Sequence, residues 1–269
     1  MRTVVLGLGV AALLAASPAL HALDRLTLEI DGVERVARVH APKRETRTPP
    51  LVIIFHGVGD TARNFDQAVE FHEAWPEAVV AYPEGQPRAD RDGMRGWHGM
   101  PENDANNDLA FVEALVAALQ ERYGADPSRT FAAGFSNGGH LTFNLLRQRP
   151  CLFAAFAPVG ALGPYVADAP LPRPVIYLFG RGEPREYRED WAKTVVTLAR
   201  VNRTRGEPGA WDDELQRLDG EAPLVWGTYN AGHVWPYGGN EVIVRFFKEE
   251  AAGCPDAGGS RQAPLPNNP

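Results

Sequence analysis

Serine is scarce in this chain: among 269 residues it occurs only as Ser17, Ser128, Ser136 and Ser260. Cysteine is scarcer, with two residues, and neither lies in a C-x-x-C pair, so a cysteine zinc site or a dithiol redox centre has no support. No G-x-x-x-x-G-K phosphate loop is present, and His72-Glu73 lacks the second histidine that a zinc-binding helix needs. Asp90-Arg-Asp92-Gly93 is too short for a calcium loop. No metal and no organic cofactor is therefore expected. Basic runs are also missing and the formal net charge is -7, which argues against a nucleic-acid partner. One charge-free apolar run does occur, at residues 4–16, behind the positive Arg2 and ahead of small residues that reach Ala22. At about 13 residues it falls short of the roughly 20 that span a bilayer, and it has the layout of a secretory leader. Residues 1–22 are expected to be removed, giving a secreted or periplasmic protein without stable membrane insertion.

The rest reads as one domain over 23–253, followed by a loose, apolar-poor tail at 254–269. Alternation in "RLTLEI" and "VERVARVH" around Asp31-Gly32 predicts a leading hairpin. "PPLVIIF", "AVVAYP", "RTFAAGF", "LFAAFAPV" and "RPVIYLF" are short apolar runs, several without alternation, as strands covered on both faces require. Amphipathic segments at 61–74, 107–124, 138–149 and 187–204 separate them. A further strand within "PLVWGTYNAGHVWP" and a helix from Asn240 to a stop at Gly253 close the domain. Strands alternating with helices specify an α/β sandwich: a mostly parallel central sheet, an N-terminal antiparallel hairpin, and helices on both faces. Residues 84–106 interrupt this rhythm as a long polar insertion at the sheet end where such folds bind ligands.

Elimination and context both select Ser136. Ser17 lies in the leader, Ser128 in a "DPSR" turn and Ser260 in the tail, whereas Gly134-Phe-Ser136-Asn-Gly138 matches G-x-S-x-G between a buried strand and a helix. The flanking glycines let the chain turn sharply enough for the serine hydroxyl to project from the sheet edge. Such a hydroxyl becomes a nucleophile only with a base to take its proton. His140 is near in sequence but sits one turn into the helix that Ser136 opens, behind the projecting hydroxyl, and reads as a pocket-lining or structural residue. His233, in "NAGHVWP" after the last strand, fits the chain order serine, acid, histidine. The acid should follow a strand between these two. Glu183, in "GRGEP", is the first carboxylate after "PVIYLFG", with Asp190, Glu186 and Asp168 as alternatives. An oxyanion hole would use the backbone N–H of Asn137 and that of Val58 or Gly57 in "HGVGD". Trp97 in the insertion and Trp235 beside His233 are candidates for a pocket wall, the competing reading being core packing. By topology, Cys151 and Cys254 both fall at the sheet edge away from Ser136, where they form either a disulfide or two separate thiols.

"FHGVGDTARNF", "VAYPEGQ", "GWHG", "DPSRTFAAGFSNGGH", "FAAFAPVGA" and "GHVWP", spread over about residues 48–250, resemble the secreted polyhydroxybutyrate depolymerase and feruloyl esterase-like α/β-hydrolases. The resemblance implies the α/β-hydrolase fold and a carboxylic-ester hydrolase acting through an acyl-enzyme without a cofactor. It places Ser136 and His233 on the nucleophile and base positions. Where the family has G-T-x-D-P this chain has "GRGEP", which sets Glu183 on the acid position, and the family often has methionine where His140 stands. Feruloyl or acetyl esters of plant-wall carbohydrate are the expected substrates, with hydroxyalkanoate oligomers as the alternative within the same chemistry. A peptidase of related fold and a non-catalytic secreted binding protein are the alternatives outside it. A monomer is expected.

Overall fold

The apolar runs become the strands of one large sheet. A computed structural model describes residues 23–44, 46–98 and 107–254. The expected leader, and all of the expected tail beyond Cys254, lie outside the described residues. In chain order the strands are β1 (Leu23–Ile30), β2 (Val33–His40), β3 (Leu51–Phe55), β4 (Val79–Pro83), β5 (Gln86–Pro87), β6 (Arg95–Gly96), β7 (Thr130–Phe135), β8 (Ala155–Val159), β9 (Val175–Gly180), β10 (Arg205–Ala210), β11 (Leu215–Asp219) and β12 (Leu224–Tyr229). The helices are α1 (Ala62–Val69), α2 (Phe71–Ala74), α3 (Asp108–Tyr123), α4 (Asn137–Gln148), α5 (Arg185–Val201) and α6 (Gly239–Glu250).

Among the described residues, ten strands form the main sheet in the order β1-β2-β4-β3-β7-β8-β9-β12-β11-β10. The central six run parallel, and antiparallel strands close both edges. The leading hairpin turns at Asp31 and Gly32, both at positive φ, as a tight two-residue connection requires. At the other edge, β10 and β11 were not foreseen. β10 is "RGEPGA", exposed at every residue, so nothing in its hydrophobic pattern distinguishes it from a loop.

Strand alternation divides the core into two layers. Leu51, Ile53 and Phe55 of β3 pack with Leu115 of α3, Leu141 of α4 and Leu198 of α5. Val52 and Ile54 face the opposite side, with Phe65 of α1, Phe71 of α2 and Phe247 of α6. Both faces of the sheet are therefore covered, which is why the central strands are apolar throughout.

The expected helix at 61–74 is broken at Glu70, which adopts φ 47°. The break is held from outside: Phe71 N–H donates to the Tyr82 hydroxyl, and Asn240 Nδ2 donates to the Val69 carbonyl. At the end of the strands opposite Ser136, Cys151 and Cys254 are joined as a disulfide that ties the end of α4 to the chain leaving α6. Buried Arg173 donates to the Phe153, Ala252 and Gly253 carbonyls beside it, fastening the same end a second time.

Candidate active site

Three parallel strands of the central sheet, β7, β9 and β12, carry loops to one end of the sheet. Ser136 follows β7, Glu183 follows β9 and His233 follows β12. Ser136 has φ 53° and ψ -115°, a strained conformation for a residue with a side chain. The turn closes only with glycine on either side. A Cβ on Gly134 would sit 2.3 Å from the Gly138 carbonyl oxygen, and one on Gly138 would sit 2.3 Å from that of Phe55. Ser136 N–H donates to the Val159 carbonyl at 2.9 Å, so the strained residue is anchored to β8.

The Ser136 hydroxyl lies 2.8 Å from His233 Nε2, and His233 Nδ1 lies 2.5 Å from Glu183 Oε1. Glu183 is 7% exposed, so its carboxylate is shielded from water, while the His233 ring it meets is half exposed. With Nδ1–H donating to that carboxylate, Nε2 is left to accept from the serine, the tautomer a general base needs. The acid and histidine loops are bound to each other: Arg181 N–H donates to Tyr229 and Gly182 N–H to Ala231. Phe135 packs beneath the His233 ring at a centroid distance of 4.9 Å. Of the carboxylates considered, Glu183 is the one the fold brings to His233. Glu186, Glu189 and Asp190 lie on α5, where Glu189 and Asp190 pair with Arg185 and Lys193.

The loop after β3 reaches Ser136 from the other side; a Cβ on Gly57 would lie 3.5 Å from the Ser136 Cβ. His56, fully buried, donates from Nδ1 to the Gly57 carbonyl and accepts the Gly85 N–H at Nε2. Burial lowers its pKa, in keeping with a neutral ring that fills both roles. Gly59 N–H donates to Arg95 in β6, so the loop is fixed from both flanks of Val58. Among the described residues, the N–H groups of Val58 and Asn137 donate to no protein acceptor.

The Asn137 side chain has a role that its sequence context did not reveal. Its Oδ1 accepts the Trp97 N–H at 2.6 Å and its Nδ2 donates to the Trp97 carbonyl at 2.9 Å. Arg88 Nη1 donates to that same carbonyl. The residue after Ser136 is thus clamped to the polar insertion, whose residues 99–106 lie outside the described residues.

A cavity of about 480 Å³ opens beside Ser136, lined by His140, Leu162, Phe179, Glu183, Pro184, Tyr187 and His233 among others. His140 lines it, and burial pushes its pKa down to about 4, so it is neutral at pH 7. The two tryptophans do not line it. Trp97 is fully buried against Phe55, with its indole N–H donating to the His56 carbonyl, because a large ring in this insertion is used to anchor the loop to the core. Trp235 stacks edge-on against Phe65 and donates to Asn240, facing a different surface depression. The cavity's aromatic residues are Phe179 and Tyr187. In the sequence Phe179 carries only the signal of a strand interior, and Tyr187, four residues after Glu183, only that of a helix start.

This sheet order, with helices on both faces and a serine, an acid and a histidine after β7, β9 and β12, defines an α/β-hydrolase. Residues 31–235 match the family model described as "Putative esterase", and the chain belongs to that esterase family. It is 28% identical over 158 residues to a bifunctional acetylxylan esterase/xylanase of Neocallimastix patriciarum, covering 56% of this chain and 22% of that protein. To the poly(3-hydroxyalkanoate) depolymerase C of Paucimonas lemoignei it is 24% identical over 133 residues, 47% of this chain and 31% of the other. The chain thus spans less than half the length of these curated relatives. Among solved structures, an acetyl xylan esterase from Aspergillus awamori superposes with a TM-score of 0.66 at 17% identity, covering 84% of this chain and 98% of that one. The resemblance read from the sequence motifs is borne out by these relatives. Among the described residues, no helix is long and apolar enough to cross a membrane.

Proposed function

We propose that this chain is a secreted serine carboxylic-ester hydrolase that works through an acyl-enzyme on acetyl or feruloyl esters of plant-wall carbohydrate. The observation that carries the reading is the continuous hydrogen-bonded line from Ser136 through His233 to Glu183 at the mouth of the cavity. His233 Nε2 takes the hydroxyl proton as Ser136 Oγ attacks the ester carbonyl, and the Glu183 carboxylate stabilises the resulting imidazolium. The carbonyl oxygen becomes an anion facing the Asn137 and Val58 N–H groups, each such donor contributing about 3 kcal/mol in the transition state. Collapse breaks the C–O bond to the alcohol, which leaves with the proton from His233. Water then repeats the sequence on the acyl-enzyme, with His233 again as base.

Leu162, Phe179, Pro184 and Tyr187 offer an apolar wall to the acyl group. An extracellular or periplasmic site of action is supported by the leader-like residues 1–22 and by the Cys151–Cys254 disulfide, since disulfides persist in oxidising compartments. The similarity to the Paucimonas depolymerase favours a second reading, hydroxyalkanoate oligomers, within the same mechanism.

A hydrolysis panel on the mature protein separates these readings: methyl ferulate, an acetylated xylo-oligosaccharide, a hydroxybutyrate trimer and a peptide. Turnover of the first two, with Ser136 labelled by a serine-directed phosphonate, is the expected result. Preference for the trimer would replace the substrate class, and preference for the peptide would replace the reaction. No turnover together with no labelling of Ser136 would make the chain a binding protein.

A further inference from the structure

His72 has no histidine one turn away on its own helix, yet the fold supplies one from another element. His40 ends β2, Asp66 lies in α1 and His72 in α2, and one ligand-capable atom from each lies within 4.8 Å of the other two. The imidazole rings stack with centroids 3.5 Å apart and planes 10° from parallel. Both present a nitrogen to one carboxylate oxygen: His40 Nε2 at 2.8 Å and His72 Nδ1 at 3.6 Å from Asp66 Oδ1. The other Asp66 oxygen accepts from Arg38 Nε, so Oδ1 is the one turned to the histidines.

His72 Nδ1 is poorly served by protein groups alone. Its neighbours are Asp66 Oδ1 and the Tyr82 hydroxyl at 3.4 Å, both beyond good hydrogen-bond length. Protonated there, it makes only stretched bonds. Unprotonated, it can accept only the long bond from the Tyr82 hydroxyl while its lone pair also faces a carboxylate oxygen.

We propose that His40, Asp66 and His72 form a structural site for a divalent transition-metal ion of the zinc class. Two imidazole nitrogens and one carboxylate suit such an ion, whereas calcium and magnesium prefer all-oxygen sets. A tetrahedral ion about 2.0–2.1 Å from each ligand would hold neighbouring ligand atoms about 3.3 Å apart. The present 2.8 and 3.6 Å separations straddle that value. Rings within 10° of parallel cannot both direct a lone pair at one ion, so the two imidazoles must rotate out of their stack on binding. On binding, each imidazole keeps one proton on the nitrogen away from the ion. For His72 that nitrogen is Nε2, 3.3 Å from Glu73 Oε1, and Glu73 is itself held by Lys43. A carboxylate behind a ligating histidine is the usual outer support of zinc sites. The Arg38 guanidinium opposes a dication, so modest affinity is expected. The ion would clip the N-terminal hairpin to α1 and α2, and would take no part in the chemistry at Ser136.

The test uses untagged, metal-stripped mature protein titrated with zinc chloride alone by calorimetry. One site is expected, with a higher melting temperature in zinc, affinity reduced at least tenfold in His40→Gln and in His72→Gln, and no change in His98→Gln or His233→Ala. Melting curves without metal establish that each variant folds. If the cluster variants do not fold, X-ray absorption of the zinc-loaded unmutated protein decides: two imidazoles and a carboxylate support the site, and any other shell overturns it. Absence of binding, or affinity that survives in His40→Gln and His72→Gln, would also overturn it.

Discussion

Ser136, His233 and Glu183 depend on one another through two hydrogen bonds, so their removal should not be additive. Ser136→Ala and His233→Ala are each expected to lower kcat on an activated acetyl ester at least about 10⁴-fold with the melting temperature near that of the unmutated protein. Glu183→Gln should cost on the order of 10⁴-fold as well, because an amide would hold the wrong imidazole tautomer. Activity retained in any of the three would remove that residue from the mechanism. His140 provides a test of a different kind. Burial lowers its pKa from 6.5 to about 4, so between those values the unfolded chain binds a proton that the folded chain does not. Stability should therefore fall as pH drops through that window. His56 and His72, also lowered by burial, act in the same direction. His140→Met should accordingly show a shallower, not a flat, loss of melting temperature between pH 6.5 and 4; an unchanged slope would mean that His140 titrates normally in the fold.

At the level of elements, the turn between β7 and α4 was legible in the sequence because its demand is local. The glycines of G-x-S-x-G mark places where no Cβ fits, and the structure gives the obstacles: the Gly138 carbonyl against Gly134 and the Phe55 carbonyl against Gly138. Gly138→Ala should destabilise the protein by several kcal/mol or leave it insoluble, since the clash is with backbone that cannot move aside. A soluble, active alanine variant in a denaturant titration would show that the turn can widen. The insertion was legible only as an interruption. That Trp97 goes inward, and that the Asn137 amide grips its backbone with help from Arg88, depends on contacts 40 and 9 residues apart in sequence. Edge strand β10 was equally hidden, because a strand exposed along its length carries no period-two pattern, and β11, in which Leu215 alone is buried, carries little more.

For the molecule as a whole, the Ser136–His233–Glu183 cluster and the disulfide lie at opposite ends of the central strands. The Cys151–Cys254 disulfide closes a sequence separation of 103 residues, for which chain-entropy arguments predict a stabilisation of about 2–5 kcal/mol. The double variant Cys151→Ser/Cys254→Ser should melt on the order of 10 °C lower while keeping its kcat at 25 °C, and a loss of kcat without a loss of stability would contradict the separation of the two ends. What the sequence by itself determined was the alternation of strands and helices, the two-faced sheet and the serine at the strand end, while chain order pointed to His233 and left the acid open among Glu183, Glu186, Asp190 and Asp168. These are set by periodicity, sterics and chain direction, all of which act over a few residues or follow from parallel topology. Only the tertiary structure decided which aromatic residues face the cavity, that the two thiols are joined, and that His40 meets His72 across Asp66. Each of these depends on where side chains from distant segments converge, and no local pattern records that convergence.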